Sequence, residues 1–210
     1  MPGVGYLEMA RAVHSRTAPT RLSDVSFLRP LILDLSQSDS WVELRVQGAS
    51  LAFEIVSGIM GSSQLEYAIV HSTGDAMSEG EIYPHSLPAL PGQLDDCGEE
   101  VNASTVYTGA ALAGVEYGPD FHIIQQLWMS VRSRTAASRL RERVDLQGTQ
   151  VHPTDLDAAL QLNQVALFWG STGEQAVKTM LPFVLNSATL QGPCRGELWV
   201  RMLSLSPRPH

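Results

Sequence analysis

Residues 152–161 read HPTDLDAALQ, and they open the longest helical pattern in the sequence, residues 154–169. The apolar residues of this pattern recur at helical spacing and form one stripe: Leu156, Ala159, Leu160, Val165 and Phe168. Pro153 stands at its start, where proline suits the first turn of a helix. The sequence therefore predicts a helix here that buries its apolar face.

A second helix is predicted near the start of the chain, over residues 3–13, GVGYLEMARAV, directly after Pro2. Strand-like runs follow it, with β-branched and aromatic residues alternating with polar ones: residues 25–33, 42–46, 51–56 and 65–71. Gly48, Gly58 and Gly61 are expected to mark turns. The first part of the chain is thus one helix followed by a set of strands.

The same order of elements recurs after a change in composition. Residues 74–100 are rich in proline, glycine and acidic residues, which predicts a linker or surface loop. A short helix over 104–114 and a strand over 123–131 come next, and strands over 183–190 and 197–203 follow the long helix. A helix followed by antiparallel strands, given twice, predicts an α+β fold in which each sheet packs on its own helix.

Because the two halves share no exact repeat, the duplication rests on element order alone. It predicts an N-terminal half at 1–74, a linker at 75–100 and a C-terminal half at 101–210. The chain begins at a helix and stops after a strand, so each sheet is expected to lack strands. Open sheet edges invite pairing with another chain, which makes a homodimer an expectation.

Composition narrows the classes of function. Lys and Arg number 14 against 22 Asp and Glu, a formal net charge of -8 that opposes broad attraction to nucleic acid or to an anionic membrane. No run of eighteen apolar residues and no signal-peptide pattern occurs, so a cytoplasmic location is expected. Cys97 and Cys194 stand outside any zinc-binding spacing, which predicts free thiols and no metal.

Three motifs go beyond periodicity: residues 2–10, PGVGYLEMA; residues 117–121, YGPDF; and the opening segment, HPTDLDAALQ. In this order and spacing they resemble the PGxxYLEMA, YGPxF and HPxxLDAALQ motifs of dehydratase domains in modular polyketide synthases. The resemblance covers nearly the whole chain. It implies a double hotdog fold, in which two antiparallel sheets each wrap a central helix, and this agrees with the duplicated plan.

The family eliminates water from a β-hydroxyacyl chain, which needs a base for the α-proton and an acid for the departing hydroxyl. The resemblance gives the acid role to Asp157, within a D-x-x-x-Q pattern that places Gln161 on the same helix face. Burial on an inner helix face raises a carboxyl pKa and keeps the acid protonated. The alternative is that Asp157, like Asp155 on the solvent side, only stabilises the helix N-terminus.

Four further residues are candidates for substrate contact, beside Tyr117 of the YGPDF turn. Tyr117 would hydrogen-bond the substrate or the acid, or else only pack the turn beside Pro119. Phe121 is expected to line the acyl tunnel or the core. The other three open the first helix, whose free N–H groups could polarise a thioester carbonyl, or which simply packs closely on a strand: Pro2, Gly3 and Val4.

The resemblance places the family's catalytic histidine in an H-x-x-x-G-x-x-x-x-P motif that ends at Pro2, and therefore before residue 1. His71, His122 and His152 are interpreted as structural or strand residues, because a lone histidine is more often structural than catalytic. A dehydratase-like domain without catalysis, kept for structure or carrier docking, is therefore an alternative. A pyran-forming or double-bond-shifting relative ranks lower, since such relatives tend to alter the positions that Asp157 and Pro2 occupy.

The expected partners are an acyl carrier protein and neighbouring synthase domains, with the substrate on the carrier's phosphopantetheine and no cofactor bound by the chain itself. A basic run could dock an acidic carrier, or could instead protect an edge strand by its charge. Its members are Arg132, Arg134, Arg139, Arg141 and Arg143. No nucleic acid and no membrane partner are expected.

Overall fold

The structure is a computed structural model, and it describes residues 2–14, 18–32, 39–48, 51–59, 68–78, 97–130, 132–133, 135–168, 183–192 and 196–203. Three helices lie within these ranges: α1 (Val4–His14), α2 (Ser104–Leu112) and α3 (Pro153–Phe168). The strands are β1 (Thr20–Phe27), β2 (Ser40–Val46), β3 (Ala52–Ile59), β4 (Ile69–Ser78), β5 (Glu99–Val101), β6 (Ile124–Ser130), β7 (Thr135–Leu140), β8 (Val184–Leu190) and β9 (Trp199–Leu203). A 3₁₀ helix covers Pro119–Phe121.

The chain forms two units, each with its own antiparallel sheet. The first unit comprises residues 1–83, 146–153 and 182–193, and the second comprises 84–145, 154–181 and 194–210. The sheet of the first unit has the strand order β2-β3-β4-β1-β8, and the sheet of the second has the order β5-β6-β7-β9. Two helix-and-sheet units confirm the predicted α+β class.

In the first unit, α1 packs on β1 and β4. Its buried apolar residues recur at helical spacing: Val4, Tyr6, Leu7 and Ala10. The sheet contributes residues that alternate inward along the strands: Leu22, Val25, Phe53 and Ile55. This alternation buries one face of the sheet against the helix, as the sequence predicts.

A buried polar cluster ties α1 to residues 146–153 of the same unit. Glu8 and Arg11 form a two-pronged ion pair at 2.6 and 2.7 Å, and their residues are 5% and 3% exposed. Gln150 completes the cluster, because its backbone N–H donates to Glu8 Oε1 at 2.9 Å and its side-chain oxygen accepts from Arg11 Nη1 at 2.8 Å. A buried charge is tolerated when it is paired with an opposite charge and hydrogen-bonded, as both of these charges are.

In the second unit, α2 and α3 pack on the inner face of the sheet. One hydrophobic core joins the three elements: Val106 from α2, Ala158 and Leu162 from α3, and Ile124, Leu127, Met129, Ala136 and Leu140 from β6 and β7, with Ile123. The buried face of α3 differs from the predicted stripe. Ala159 is exposed and Leu156 and Leu160 are only half-buried, whereas Asp157 and Gln161 are buried.

Two further expectations differ from the structure, and one strand was not expected. Gly58 lies inside β3 under the ring of Trp41 rather than in a turn, and Gly61 lies outside the described residues. The interpretation of the arginine run as a charged edge strand is wrong, because β7, which carries Arg139, is paired on both sides, with β6 and with β9. β7 itself was not predicted, since its small residues give no clear alternation.

Some elements lie differently from the expected division of the chain at residues 75–100. β4 continues to Ser78, and β5 begins at Glu99; residues 79–96 lie outside the described part of the chain. β8, from the segment expected in the C-terminal half, pairs along β1 in the first unit. A strand can join a sheet far from its own place in the sequence when the edge of that sheet is open, and periodicity does not report this.

Candidate active site

Asp157 and Gln161 lie one turn apart on the inner face of α3. Asp157 is 6% exposed and Gln161 is fully buried. Their neighbours Ala158 and Leu162 belong to the hydrophobic core and fix the rotation of the helix. The local fold thus directs a carboxyl and an amide into an otherwise apolar interior, where unpaired polar groups are costly.

The amide of Gln161 holds the carboxyl of Asp157 in place. Gln161 Nε2 donates to Asp157 Oδ2 at 2.9 Å and to the backbone oxygen of Phe121 at 3.3 Å. Both amide hydrogens are therefore used, while Gln161 Oε1 is buried with no hydrogen-bond partner among the described residues. A buried acceptor without a donor is a place for a water molecule or a ligand hydroxyl.

The surroundings of Asp157 favour its neutral form. Burial raises the pKa of Asp157 above its usual range, and the hydrogen bond from Gln161 offsets part of that rise. Because Oδ2 accepts from the amide, the proton of the neutral acid belongs on Oδ1. No hydrogen bond joins Oδ1 to the parts of the chain that the structure covers, so this proton is available to a ligand.

The YGPDF turn brings Tyr117 to the same helix face. Gly118 is extended and Pro119 starts the 3₁₀ helix, a position that suits its fixed backbone angle. The half-buried Tyr117 hydroxyl donates to Gln164 Oε1 of α3 at 3.4 Å. Burial is the largest cause that raises the pKa of Tyr117, and the nearby Asp157 carboxyl is the second. The phenol therefore stays neutral.

Tyr107 of α2 and His122 complete an aromatic cluster that the sequence did not identify. The Tyr107 ring stacks on His122 with centroids 3.9 Å apart and meets Tyr117 edge-on at 6.3 Å. The Tyr107 hydroxyl accepts from the backbone N–H of Ile124 at 3.1 Å. Asp157 is close enough for its charge to contribute to the raised pKa of Tyr107, which is due mainly to burial. Nothing in the spacing of residue 107 signals this role, because it depends on contacts between separate elements.

The structure therefore brings together four predicted site residues in the second unit: Asp157, Gln161, Tyr117 and Phe121. Phe121 contributes its backbone oxygen to Gln161 and sets its ring 6.3 Å from that of Tyr117. Asp155, expected on the solvent side, is largely buried and pairs with Arg143 at 3.2 Å. These contacts join the turn and the helix into one local site.

Pro2, Gly3 and Val4 lie at the start of α1 in the first unit. The backbone oxygens of Pro2 and Gly3 accept from Gly5 and Tyr6, both at 3.0 Å, which closes the first turn. A side chain on Gly3 would press on the ring of Phe27, so close packing on β1 gives a reason for glycine at this position. The N–H groups of Gly3 and Val4 donate to none of the described residues.

Two kinds of feature are absent from the described ranges. No group of three or more His, Cys, Asp or Glu residues is arranged to hold a metal ion. No helix there is both long and apolar enough to cross a membrane. Cys97 is a buried free thiol, and Cys194 lies outside these ranges.

Comparison with known proteins identifies the family of this chain. Residues 86–204 match the model of the polyketide synthase dehydratase N-terminal domain, and residues 1–58 match that of the polyketide synthase dehydratase domain. The first match alone covers more than half of the chain. The chain therefore belongs to the dehydratase domains of polyketide synthases.

Polyketide synthases are also among the relatives that match this chain in sequence. Polyketide synthase PksN of Bacillus subtilis (strain 168) is 26% identical over 215 residues, and GfsE of Streptomyces halstedii is 26% identical over 195. The matches cover 95% and 90% of this chain but span only 4% and 5% of those proteins.

Solved dehydratase domains share the fold. The domain from the CurF module of curacin polyketide synthase has a TM-score of 0.76 at 21% identity, covering 99% of this chain and 75% of that one. The domain of RzxB from Pseudomonas fluorescens has a TM-score of 0.73 at 21% identity, covering 99% and 76%. The predicted double hotdog is thereby confirmed.

Proposed function

We propose that this domain eliminates water from a β-hydroxyacyl thioester carried on the phosphopantetheine of an acyl carrier protein, giving an α,β-unsaturated acyl chain. The observation that carries the proposal is the Asp157 carboxyl, which is buried, favoured in its neutral form and held by Gln161. A neutral carboxylic acid is what a departing hydroxyl needs, because hydroxide is a poor leaving group without a proton.

In this mechanism Asp157 Oδ1 donates its proton to the β-hydroxyl as the bond from the β-carbon to oxygen breaks. The electrons of the α-carbon C–H bond form the new double bond, and the base keeps the α-proton. The carboxylate that remains on Asp157 still accepts from Gln161 Nε2, which stabilises the charge as it develops. The released water can donate to the buried Gln161 Oε1, which has no other partner among the described residues.

The base is the second requirement. His122 Nε2 lies 3.1 Å from the backbone oxygen of Tyr117 and must carry a hydrogen to bond there, so only Nδ1 of the neutral ring could take up a proton, and the ring itself is stacked on Tyr107. We assign the role to the histidine that the family's motif places ahead of Pro2. Structures of the CurK dehydratase with a histidine replaced by phenylalanine, or an aspartate by asparagine, are both described as inactive mutants, which supports a histidine and aspartate pair.

Substrate contacts are assigned in each unit separately. Tyr117 and Phe121 would face the acyl chain beside the acid. At the start of α1, the N–H groups of Gly3 and Val4 would donate to a thioester oxygen as negative charge develops on it, and Pro2 would set the entry of the helix. Neither of these two N–H groups donates to a described residue, and this supports the assignment.

The partners we propose are an acyl carrier protein and the neighbouring domains of a cytoplasmic synthase, with a second copy of this domain. The arginine run remains the candidate carrier surface, although Arg143 is already paired with Asp155, and Arg139 lies 3.4 Å from Glu197. Arg141 is exposed, and Arg134 lies outside the described residues. An exposed arginine on this side would attract an acidic carrier.

The test is mass spectrometry of a β-hydroxyacyl carrier protein incubated with the domain, within a chain that includes the preceding family motif. Loss of water is expected with the unaltered domain and should disappear in Asp157→Asn. Asp120→Asn is the matched control, since Asp120 is an exposed carboxylate of the neighbouring 3₁₀ helix and should leave the reaction intact.

Other outcomes would select the rival functions. A folded, unaltered domain that leaves the acyl chain unchanged would identify a silent relative kept for structure or docking. A product of unchanged mass with a ring, or with a moved double bond in an unsaturated substrate, would identify a cyclising or isomerising domain. Equal loss of water from Asp157→Asn and the unaltered domain would contradict the role of Asp157 as the acid.

A further inference from the structure

The Tyr117 hydroxyl acts as a hydrogen-bond donor to another side chain of the protein. It donates to Gln164 Oε1 at 3.4 Å, and no other hydrogen bond of this hydroxyl occurs among the described residues. A phenol carries one hydrogen, and an amide oxygen only accepts. While this bond is made, the Tyr117 oxygen offers a ligand its lone pairs and nothing else.

Gln164 continues the face of α3 that carries the acid. Asp157, Gln161 and Gln164 follow one another at four and three residues, the spacing of neighbours on a helix face. Gln161 holds the carboxyl of Asp157, and Gln164 holds the phenol of Tyr117, which is within electrostatic range of that carboxyl. Two amides on one helix face therefore each fix one polar group of the site.

We propose that Gln164 is a positioning residue that makes Tyr117 an acceptor for the hydrogen of the substrate's β-hydroxyl. The inference rests on the proposed dehydration. A β-hydroxyl that donates to the Tyr117 oxygen turns a lone pair away from it, toward the proton on Asp157 Oδ1. When the bond to the β-carbon breaks, that proton completes a water molecule, which keeps its bond to Tyr117.

The arrangement has a consequence for specificity. A β-hydroxyl must reach two fixed points, an acceptor on Tyr117 and a donor on Asp157, and the two configurations at the β-carbon cannot meet both equally. Gln164 therefore contributes to the choice between the two alcohols. The length of its bond to Tyr117 is no obstacle, since hydrogen bonds in ligand-free sites are often long and shorten when substrate binds.

The bond itself can be tested without any reaction, by NMR of protein labelled with ¹³C at the tyrosine ζ-carbons. The chain has five tyrosines, and Tyr117→Phe assigns the relevant signal by removing it. Donation by a phenol shifts its ζ-carbon downfield. Gln164→Ala should move the Tyr117 signal upfield, and Gln164→Glu should move it further downfield, because a charged acceptor strengthens the bond.

Asn163→Ala is the control, because Asn163 is the exposed neighbour of Gln164 on the same turn. A Tyr117 signal that moves no more in Gln164→Ala than in Asn163→Ala would overturn the proposal. A downfield shift in Gln164→Ala would do the same, since it would mean that the amide donates to the phenol.

Kinetics test the positioning role. Gln164→Ala should lower kcat about fivefold, the scale of one neutral hydrogen bond, and should change KM little. In a Tyr117→Phe background the same substitution should have no further effect, because the two residues act as one unit. An equal loss in both backgrounds would contradict action through Tyr117. If the unaltered domain removes no water, the proposed function fails, and the NMR result still decides whether Gln164 holds the phenol.

Discussion

At the scale of single residues, Asp157 opposes the stability of the fold that it serves. Its folded-state pKa is raised, mainly by burial, whereas the unfolded chain keeps the ordinary value of about 3.9. Between these two values the folded protein binds more protons than the unfolded chain. The contribution of Asp157 to stability is therefore full at low pH and is lost as the pH rises through the folded-state pKa.

This pH dependence predicts that Asp157→Asn raises Tm at pH 7, although it abolishes the proposed reaction. The gain should shrink as the pH falls and should vanish at about pH 3, one unit below the unfolded-state pKa, where the aspartate is largely neutral in both states. Differential scanning calorimetry across this pH range measures it, with Asp120→Asn as the exposed control. A lower Tm for Asp157→Asn at pH 7 would show that the carboxyl is charged and stabilising.

Gly98 is a second residue whose identity the fold requires. Its φ is +88°, and a side chain there would overlap the backbone oxygen of Met129 in the neighbouring strand. Gly98→Ala should cost at least about 2 kcal/mol of unfolding free energy, measured by urea denaturation. Gly109→Ala in α2, where the added methyl group meets nothing, should be neutral or stabilise by up to about 1 kcal/mol.

The sequence was informative at this scale only where a motif was present. Asp157, Gln161 and Tyr117 were named from the motifs, and the structure sets them around one interior point of the second unit. Tyr107 and Gln164 carry no motif. Their roles arise from a stack with His122 and from a bond between residues 47 positions apart, which no local pattern encodes.

At the scale of elements, the Glu8–Arg11 pair joins α1 to the segment that carries Gln150. Glu8→Gln leaves Arg11 as a buried charge without its carboxylate, which should cost about 3–5 kcal/mol. Glu43→Gln is the matched control, because Glu43 pairs with Arg45 at 3.3 Å on an exposed strand and should cost less than about 1 kcal/mol. Equal costs in urea denaturation would contradict the structural role of the cluster.

Helices were easier to predict than strands, and helix faces were harder than helix positions. The predicted helix at 154–169 agrees with α3, yet its buried face includes Asp157 and Gln161 in place of Ala159. An apolar stripe cannot reveal a polar pair that is buried because its members bond each other. β7 was missed for a related reason, since three of its buried residues are Ala136, Ala137 and Ser138.

At the scale of the whole molecule, strand edges govern association. Among the described strands, β2 and β8 are at the edges of the first sheet, and β5 and β9 are at those of the second. Exposed apolar residues on β2, Val42 and Val46, add to the tendency of an edge to pair. We expect the molar mass from light scattering to rise with concentration towards that of a dimer. A constant monomer mass would contradict this.

Element order predicted two helix-and-sheet units, but it could not predict how the chain is shared between them. The first sheet takes its last strand from residues 184–190, so the unit boundaries are not single cuts in the sequence. Strand periodicity shows that a segment is a strand, and pairing depends on which edge is open when the segment arrives. A local sequence pattern therefore could not predict that β8 pairs with β1.

The place of β8 also sets the order of events during synthesis. Thr20 of β1 pairs with Leu190 of β8, so one edge of β1 stays uncovered until the ribosome has made residue 190. At about 5–20 residues per second, that interval lasts roughly 10–30 s. The nascent first unit must be kept from misassembly for this time, and slow, non-local closure is expected to limit its folding rate.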